Sequence, residues 1–181
     1  MKGILYYDTK YGSTEQIGRW VASQIEATEL CKLYDHARID HTKDFYILGT
    51  PIFIGKPPQR VREFILANKK AMCLKPMFLF ITSWAQSTPY QDECTKFIEL
   101  LEFYLSPCIP VMSKSLPGRL YMDRITPKDN LIMSKLLRRI DNMTSEFQSK
   151  TIHFNDQTNK KLSEAFGSDI HEWLKNKSNM L

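Results

Sequence analysis

Gly3-Ile4-Leu5-Tyr6-Tyr7-Asp8-Thr9-Lys10-Tyr11-Gly12-Ser13-Thr14 joins three signals in one stretch. Gly3–Tyr7 is an apolar run of strand length, and Ile17, Trp20, Val21 and Ile25 recur at i, i+3, i+4 and i+8, the period of an amphipathic helix. Between them lies a loop of hydroxyls and one glycine that runs straight into the helix, which starts at about Thr14. A helix N-terminus presents free N–H groups and the positive end of the helix dipole, and hydroxyl side chains add donors. Gly12 lets the backbone turn closely around a ligand. Residues Thr9, Lys10, Tyr11, Gly12, Ser13 and Thr14 are therefore candidates to hold a phosphate monoester. The alternative is that Ser13 or Thr14 is simply a helix cap. The loop is neither G-x-G-x-x-G nor a Walker A sequence, which argues against dinucleotides and nucleoside triphosphates.

Working outward, strand-like runs alternate with helix-like segments, the pattern of a parallel sheet covered by helices. The strands expected after the first are Leu30–Tyr34, Phe45–Gly49, Met77–Ile81 and Cys108–Met112, the last demoted to an edge by Pro110. Phe45–Gly49 and Met77–Ile81 are nearly continuous in apolarity, as strands buried on both faces are. Helices are expected around Val61, Phe64 and Ile65, begun by Pro57-Pro58. Another runs through Cys94, Phe97, Ile98, Leu101 and Leu105 and ends at Ser106-Pro107. A final helix carrying Leu162, Phe166, Trp173 and Leu174 is expected to break near Gly167. The expected fold is α/β: a doubly wound sheet of five parallel strands in the order 2-1-3-4-5, in a single domain spanning residues 1–181. Residues 113–150 extend that core, and a basic amphipathic helix is expected over residues 127–147. Its apolar face is Ile132, Leu136, Ile140, Met143 and Phe147, with Lys128, Lys135, Arg138 and Arg139 on another. That stripe packs on the protein's own sheet, or else the helix rests on an anionic membrane.

Ligands of such sheets sit beyond the carboxyl ends of the strands, at the point where strand order reverses. Two further loops lie there. Thr50-Pro51-Ile52-Phe53-Ile54-Gly55 is unusually apolar for a loop, which suits either a flat ring packed on it or side chains folded back onto the core. Thr82-Ser83-Trp84-Ala85 offers an indole that either stacks on an aromatic ligand or packs within the protein. A phosphate cradle, an apolar shelf and a nearby aromatic describe a ligand with a phosphate tail and a flat ring, and FMN fits that description.

Thr9-Lys10-Tyr11-Gly12-Ser13-Thr14, directly after the first strand, resembles the T-x-x-G-x-T phosphate loop of flavodoxins. Gly49-Thr50-Pro51-Ile52-Phe53-Ile54-Gly55, Phe64 and Pro117-Gly118-Arg119-Leu120-Tyr121-Met122-Asp123-Arg124 resemble the bacterial menaquinone-dependent protoporphyrinogen IX dehydrogenases of flavodoxin type. The loop Thr82-Ser83-Trp84 departs from their pattern. The resemblance implies FMN, its phosphate on residues 9–14 and its isoalloxazine between residues 50–55 and 82–86. It also implies an FMN-dependent oxidoreductase acting on protoporphyrinogen with a quinone as acceptor. The alternatives are a flavodoxin-type electron carrier serving a redox partner, and an interaction domain without a cofactor.

The formal net charge of +5 favours anionic partners, and flavodoxins are typically acidic. Arg119 and Arg124 are the candidates to hold an acidic substrate, because arginine–carboxylate bonds are strong polar contacts. No nucleic-acid partner is expected. The four cysteines (Cys31, Cys73, Cys94 and Cys108) have no zinc or C-x-x-C spacing and read as reduced core residues. His36, His41, His153 and His171 have no ligand spacing, so no metal site is expected. No apolar run is long enough to span a bilayer and no signal peptide is legible, so a cytoplasmic location is expected, with contact at the inner membrane face as a variant.

Overall fold

The computed structural model describes residues 1–35, 37–87, 90–119, 126–129, 131, 135 and 158–179. The strands are β1 Gly3–Tyr7, β2 Thr28–Lys32, β3 Phe45–Pro51, β4 Met77–Ser83 and β5 Met112–Pro117. The helices are α1 Ser13–Ala22, α2 Gln59–Met72, α3 Glu93–Leu105 and α4 Lys160–Ser178. The strands form one sheet in the order β2-β1-β3-β4-β5, and every pairing is parallel. Every residue of β1, β3 and β4 is buried, which is why these strands read as unbroken apolar runs.

Side chains alternate between two cores, following the period of the strand. On one face Tyr6, Tyr46, Leu48, Leu79 and Ile81 pack with Val61, Phe64 and Ile65 of α2 and Leu101 and Leu105 of α3. On the other, Leu5, Ile47, Phe78 and Phe80 pack with Ile17 and Val21 of α1 and Phe166, Ile170 and Leu174 of α4. Gly49 allows β3 and β4 to accept Phe80, since a Cβ there would lie 2.2 Å from the ring.

Four expectations are corrected. The fifth strand is Met112–Pro117 rather than Cys108–Met112. Cys108 N–H instead donates to the Leu105 carbonyl, closing the end of α3, and β5 begins once Val111 N–H has bonded the Met77 carbonyl. β5 is an edge strand whose first four residues are half-buried or exposed, so its serines and lysine mask it in the sequence. The second strand starts two residues early, at Thr28, and lines up with Gly3 of β1. α4 runs unbroken through Gly167, because that glycine serves close approach: a Cβ there would lie 2.4 Å from the Val21 carbonyl oxygen of α1. Of the cysteines, all free, Cys94 and Cys108 are buried, but Cys31 is only half-buried and Cys73 is exposed.

The apolar face expected at Ile132, Leu136, Ile140, Met143 and Phe147 lies outside the described residues, as do Arg138, Arg139, Arg124, His36 and His153. Residues 127–129 are helical, and Lys128 and Lys135 are exposed. Among the described residues no helix is long and apolar enough to cross a membrane, and no group of three side chains is placed to hold a metal.

Candidate cofactor site

Because the sheet is parallel, the loops after β1, β3 and β4 emerge at one end, and hydrogen bonds tie them together. Asp8 N–H donates to the Gly49 carbonyl at 3.2 Å, and Ile52 N–H to the Thr82 carbonyl at 2.9 Å. The hydroxyls of Thr14 and Thr82 share a buried hydrogen bond of 2.8 Å. Thr14 is therefore turned toward the end of β4 and stitches the first loop to the third.

The first loop is built around its own hydroxyl and a left-handed glycine. Thr9 N–H donates to the Asp8 carboxylate and Gly12 N–H to the Thr9 hydroxyl, both at 2.9 Å. Gly12 is the N-cap of α1 at φ +91°, a conformation that disfavours a Cβ, and a Cβ built there would meet nothing within 4 Å. No side chain caps the helix. Ser13 and Thr14 lie inside its first turn, so neither is the cap the sequence allowed. Among the described residues, the start of α1 thus has open space in front of Gly12 and amides that no side-chain cap occupies.

The outward ends of Lys10 and Tyr11 meet Asp129, from the segment beyond β5. The Tyr11 hydroxyl donates to Asp129 Oδ2 at 2.7 Å, and Lys10 pairs with the same oxygen. Lys10, followed by the Tyr11 hydroxyl, holds the Asp129 carboxyl below the usual range for its type. Tyr11 also meets Phe53 edge to face, with centroids 6.3 Å apart, and Lys10 Nζ lies 5.3 Å and 5.8 Å from the two ring centroids.

The stretch 50–55 divides its labour. Thr50 and Pro51 complete β3 and are buried, and Ile52 packs against the α2–α3 core. Phe53 and Lys56 exchange two backbone hydrogen bonds, of 2.9 and 3.0 Å, around Ile54 at φ +51° and Gly55 at φ +72°. Two positive φ values in a two-residue loop define a type I′ hairpin. Ile54 is 65 % exposed at its tip, and a left-handed conformation is costly for a β-branched residue. The apolar stretch is thus neither all shelf nor all core.

Thr82 and Ser83 finish β4 and are buried, and Trp84–Ser87 forms a 3₁₀ turn whose Ala85 N–H donates to the Ser83 hydroxyl at 3.1 Å. Trp84 and Ala85 are half-buried, and Ala85 touches the α2–α3 core. Gly118 N–H donates to the Ser83 carbonyl at 3.0 Å, which carries the half-buried Arg119 to the same end of the sheet.

Three further residues shape this end. Asp8 is buried and lies 3.6 Å from Arg60, which also holds Asp35 at 2.9 Å. Asp8 was legible as the residue that follows β1, whereas nothing local in the sequence signals Arg60 or Asp129.

A doubly wound parallel sheet whose first loop runs into a helix N-terminus places the protein in the α/β class, with these loops where ligands of such sheets bind. The chain belongs to the flavodoxin domain family, whose model matches residues 4–150. Solved structures agree on the fold. Oxidised flavodoxin 1 from Bacillus cereus is 15% identical with a TM-score of 0.52, over 68% of this chain and 88% of that one. A flavodoxin from the domain Archaea is also 15% identical with a TM-score of 0.52, over 97% and 99% of the two chains. Rubredoxin oxygen:oxidoreductase from Desulfovibrio gigas is 14% identical with a TM-score of 0.57, over 97% of this chain and 36% of its own length. No curated protein matches the chain.

Proposed function

We propose that this chain binds FMN at the end of the sheet described above and works as a flavin redox protein. The observation that carries this is the uncapped N-terminus of α1, opened by left-handed Gly12 and faced by free space, in a chain of the flavodoxin domain family. The residues fit the cofactor. Amides at the start of α1 and the hydroxyls around them suit the phosphate, with Thr9, Lys10, Tyr11, Gly12, Ser13 and Thr14 as its cradle. Ile52, Phe53, Ile54 and Gly55 from one loop and Trp84 and Ala85 from the other supply apolar walls for the ring, while Thr50, Pro51, Thr82 and Ser83 hold those loops in place. Bound FMN accepts and returns electrons through its isoalloxazine ring.

The exposed tip of the Phe53–Lys56 hairpin supports an electron carrier that docks a protein partner beside the ring. The charge of +5 and the placement of Arg119 support instead an oxidoreductase for a carboxylate-bearing substrate, and the porphyrinogen-oxidising flavoproteins it resembles, with quinone as acceptor, specify that reading. A visible spectrum and titration with FMN and riboflavin test the cofactor: FMN must bind more tightly, and equal affinities refute the phosphate cradle. Anaerobic mixing with protoporphyrinogen and then menaquinone tests the substrate. Flavin reduction that Arg119→Gln slows, at unchanged FMN content, supports it; a flavin that stays oxidised leaves the carrier.

A further inference from the structure

The cofactor cradle contains a pairing that its own sequence motif does not call for. Asp129 is 118 residues from Tyr11 in the chain, yet the Tyr11 hydroxyl donates to it at 2.7 Å and Lys10 forms an ion pair with the same oxygen. Lys10 and Tyr11 are the two residues between Thr9 and Gly12, so the carboxylate is fastened to the loop the phosphate enters. It is also held from its own side, because Asp129 N–H donates to the Thr126 hydroxyl at 3.2 Å. The carboxylate is three-quarters buried, with a side-chain exposure of 25%.

We propose that Asp129 is a positioning residue that sets the charge of the phosphate loop: it keeps Lys10 engaged with an internal carboxylate, and so weakens the loop's grip on the phosphate of FMN. This rests on the FMN reading above.

A phosphate monoester carries about −1.5 to −2 charges near neutral pH. The carboxylate is ionised there, since Lys10 and Tyr11 hold it below its usual range. A loop whose lysine is already neutralised attracts a dianion less, and the carboxylate itself repels it. The other acidic groups near the loop have partners elsewhere: Glu15 pairs with Arg19 at 2.7 Å, and Asp8 lies 3.6 Å from Arg60. Among the described residues, Asp129 is the acidic group that engages the loop's own cation. FMN phosphate and Asp129 therefore compete for Lys10, which couples cofactor binding to the segment that follows β5.

The test is a fluorescence-quenching titration of the flavin-free full chain with FMN and with riboflavin, in the wild type, Asp129→Asn, Lys10→Gln and the double variant. Asp129→Asn is expected to bind FMN about three- to tenfold more tightly, the effect of removing one unit of charge near a phosphate across partly wet space. Riboflavin, which lacks the phosphate, should be unaffected. Lys10→Gln should weaken FMN binding by a similar factor, because it leaves the Asp129 carboxylate unneutralised beside the loop, and the double variant should return close to the wild-type affinity. Asp129→Ser repeats the measurement with a smaller side chain should the asparagine variant misfold. Unchanged or weaker FMN binding in both variants, or equal shifts for FMN and riboflavin, overturns the proposal and leaves Asp129 as a brace for the loop. Wild-type protein that binds no FMN overturns the cofactor reading as well.

Discussion

Replacing Gly167 with alanine sets helix propensity against helix packing at a single position. Gly167 lies in the interior of α4, where alanine is intrinsically favoured over glycine by about 1 kcal/mol. Propensity alone thus predicts a stabilised protein. The structure predicts the opposite, because the new Cβ would sit 2.4 Å from the Val21 carbonyl oxygen and 2.9 Å from Gln24 Cβ. The first of these is backbone and cannot rotate away, so α4 must lift from α1 and draw Phe166, Ile170 and Leu174 from their core. Overpacking of this kind costs about 1–3 kcal/mol, and rigid backbone on the far side argues for the upper end. The net expectation is a loss of about 2 kcal/mol, or a fall in Tm of about 4–8 °C for a chain of this size. Gly18→Ala in α1 is the control. Its Cβ meets only side-chain ends, Leu5 at 3.3 Å and Leu30 at 3.9 Å, which can give way, so propensity should win and stability should hold or rise by up to about 1 kcal/mol. Thermal and urea unfolding followed by circular dichroism measures both. If Gly167→Ala is as stable as Gly18→Ala, the tight α1–α4 contact is wrong.

Two other outcomes are expected around the cofactor. Gly12→Asp should abolish FMN binding, since φ +91° strains any side chain there and the space ahead of it would receive a carboxylate where we propose the phosphate binds; because a Cβ meets no described protein atom within 4 Å, circular dichroism should show the fold intact, and FMN retained at wild-type affinity refutes the cradle. Trp84→Ala should weaken FMN binding by about 1–3 kcal/mol and shift the flavin potentials, stacking accounting for about 0.5–1.5 kcal/mol of it; a titration and a potential both unchanged would assign the half-buried indole to packing alone.

The sequence by itself determined the sheet and the loops that serve it. β1, β3 and β4 are buried on both faces, so their apolarity is continuous and visible without neighbours. Parallel strands joined by helices leave few topologies, and the T-x-x-G-x-T spacing after the first strand marked the candidate phosphate loop. What tertiary structure decided depends on partners remote in the chain. β5 carries serines and a lysine because an edge strand is only partly covered, so its position followed from its register with β4. Gly167 has the composition of a helix breaker, and only the nearness of α1 makes it a contact point. Thr50–Gly55 looked uniform in apolarity, but the turn at Ile54-Gly55 turns Ile54 outward while Ile52 packs inward. The pairing of Asp129 with Lys10 and Tyr11 closes a loop of more than a hundred residues, and no local pattern encodes such a meeting; the sheet brings both ends of that loop to its carboxyl edge.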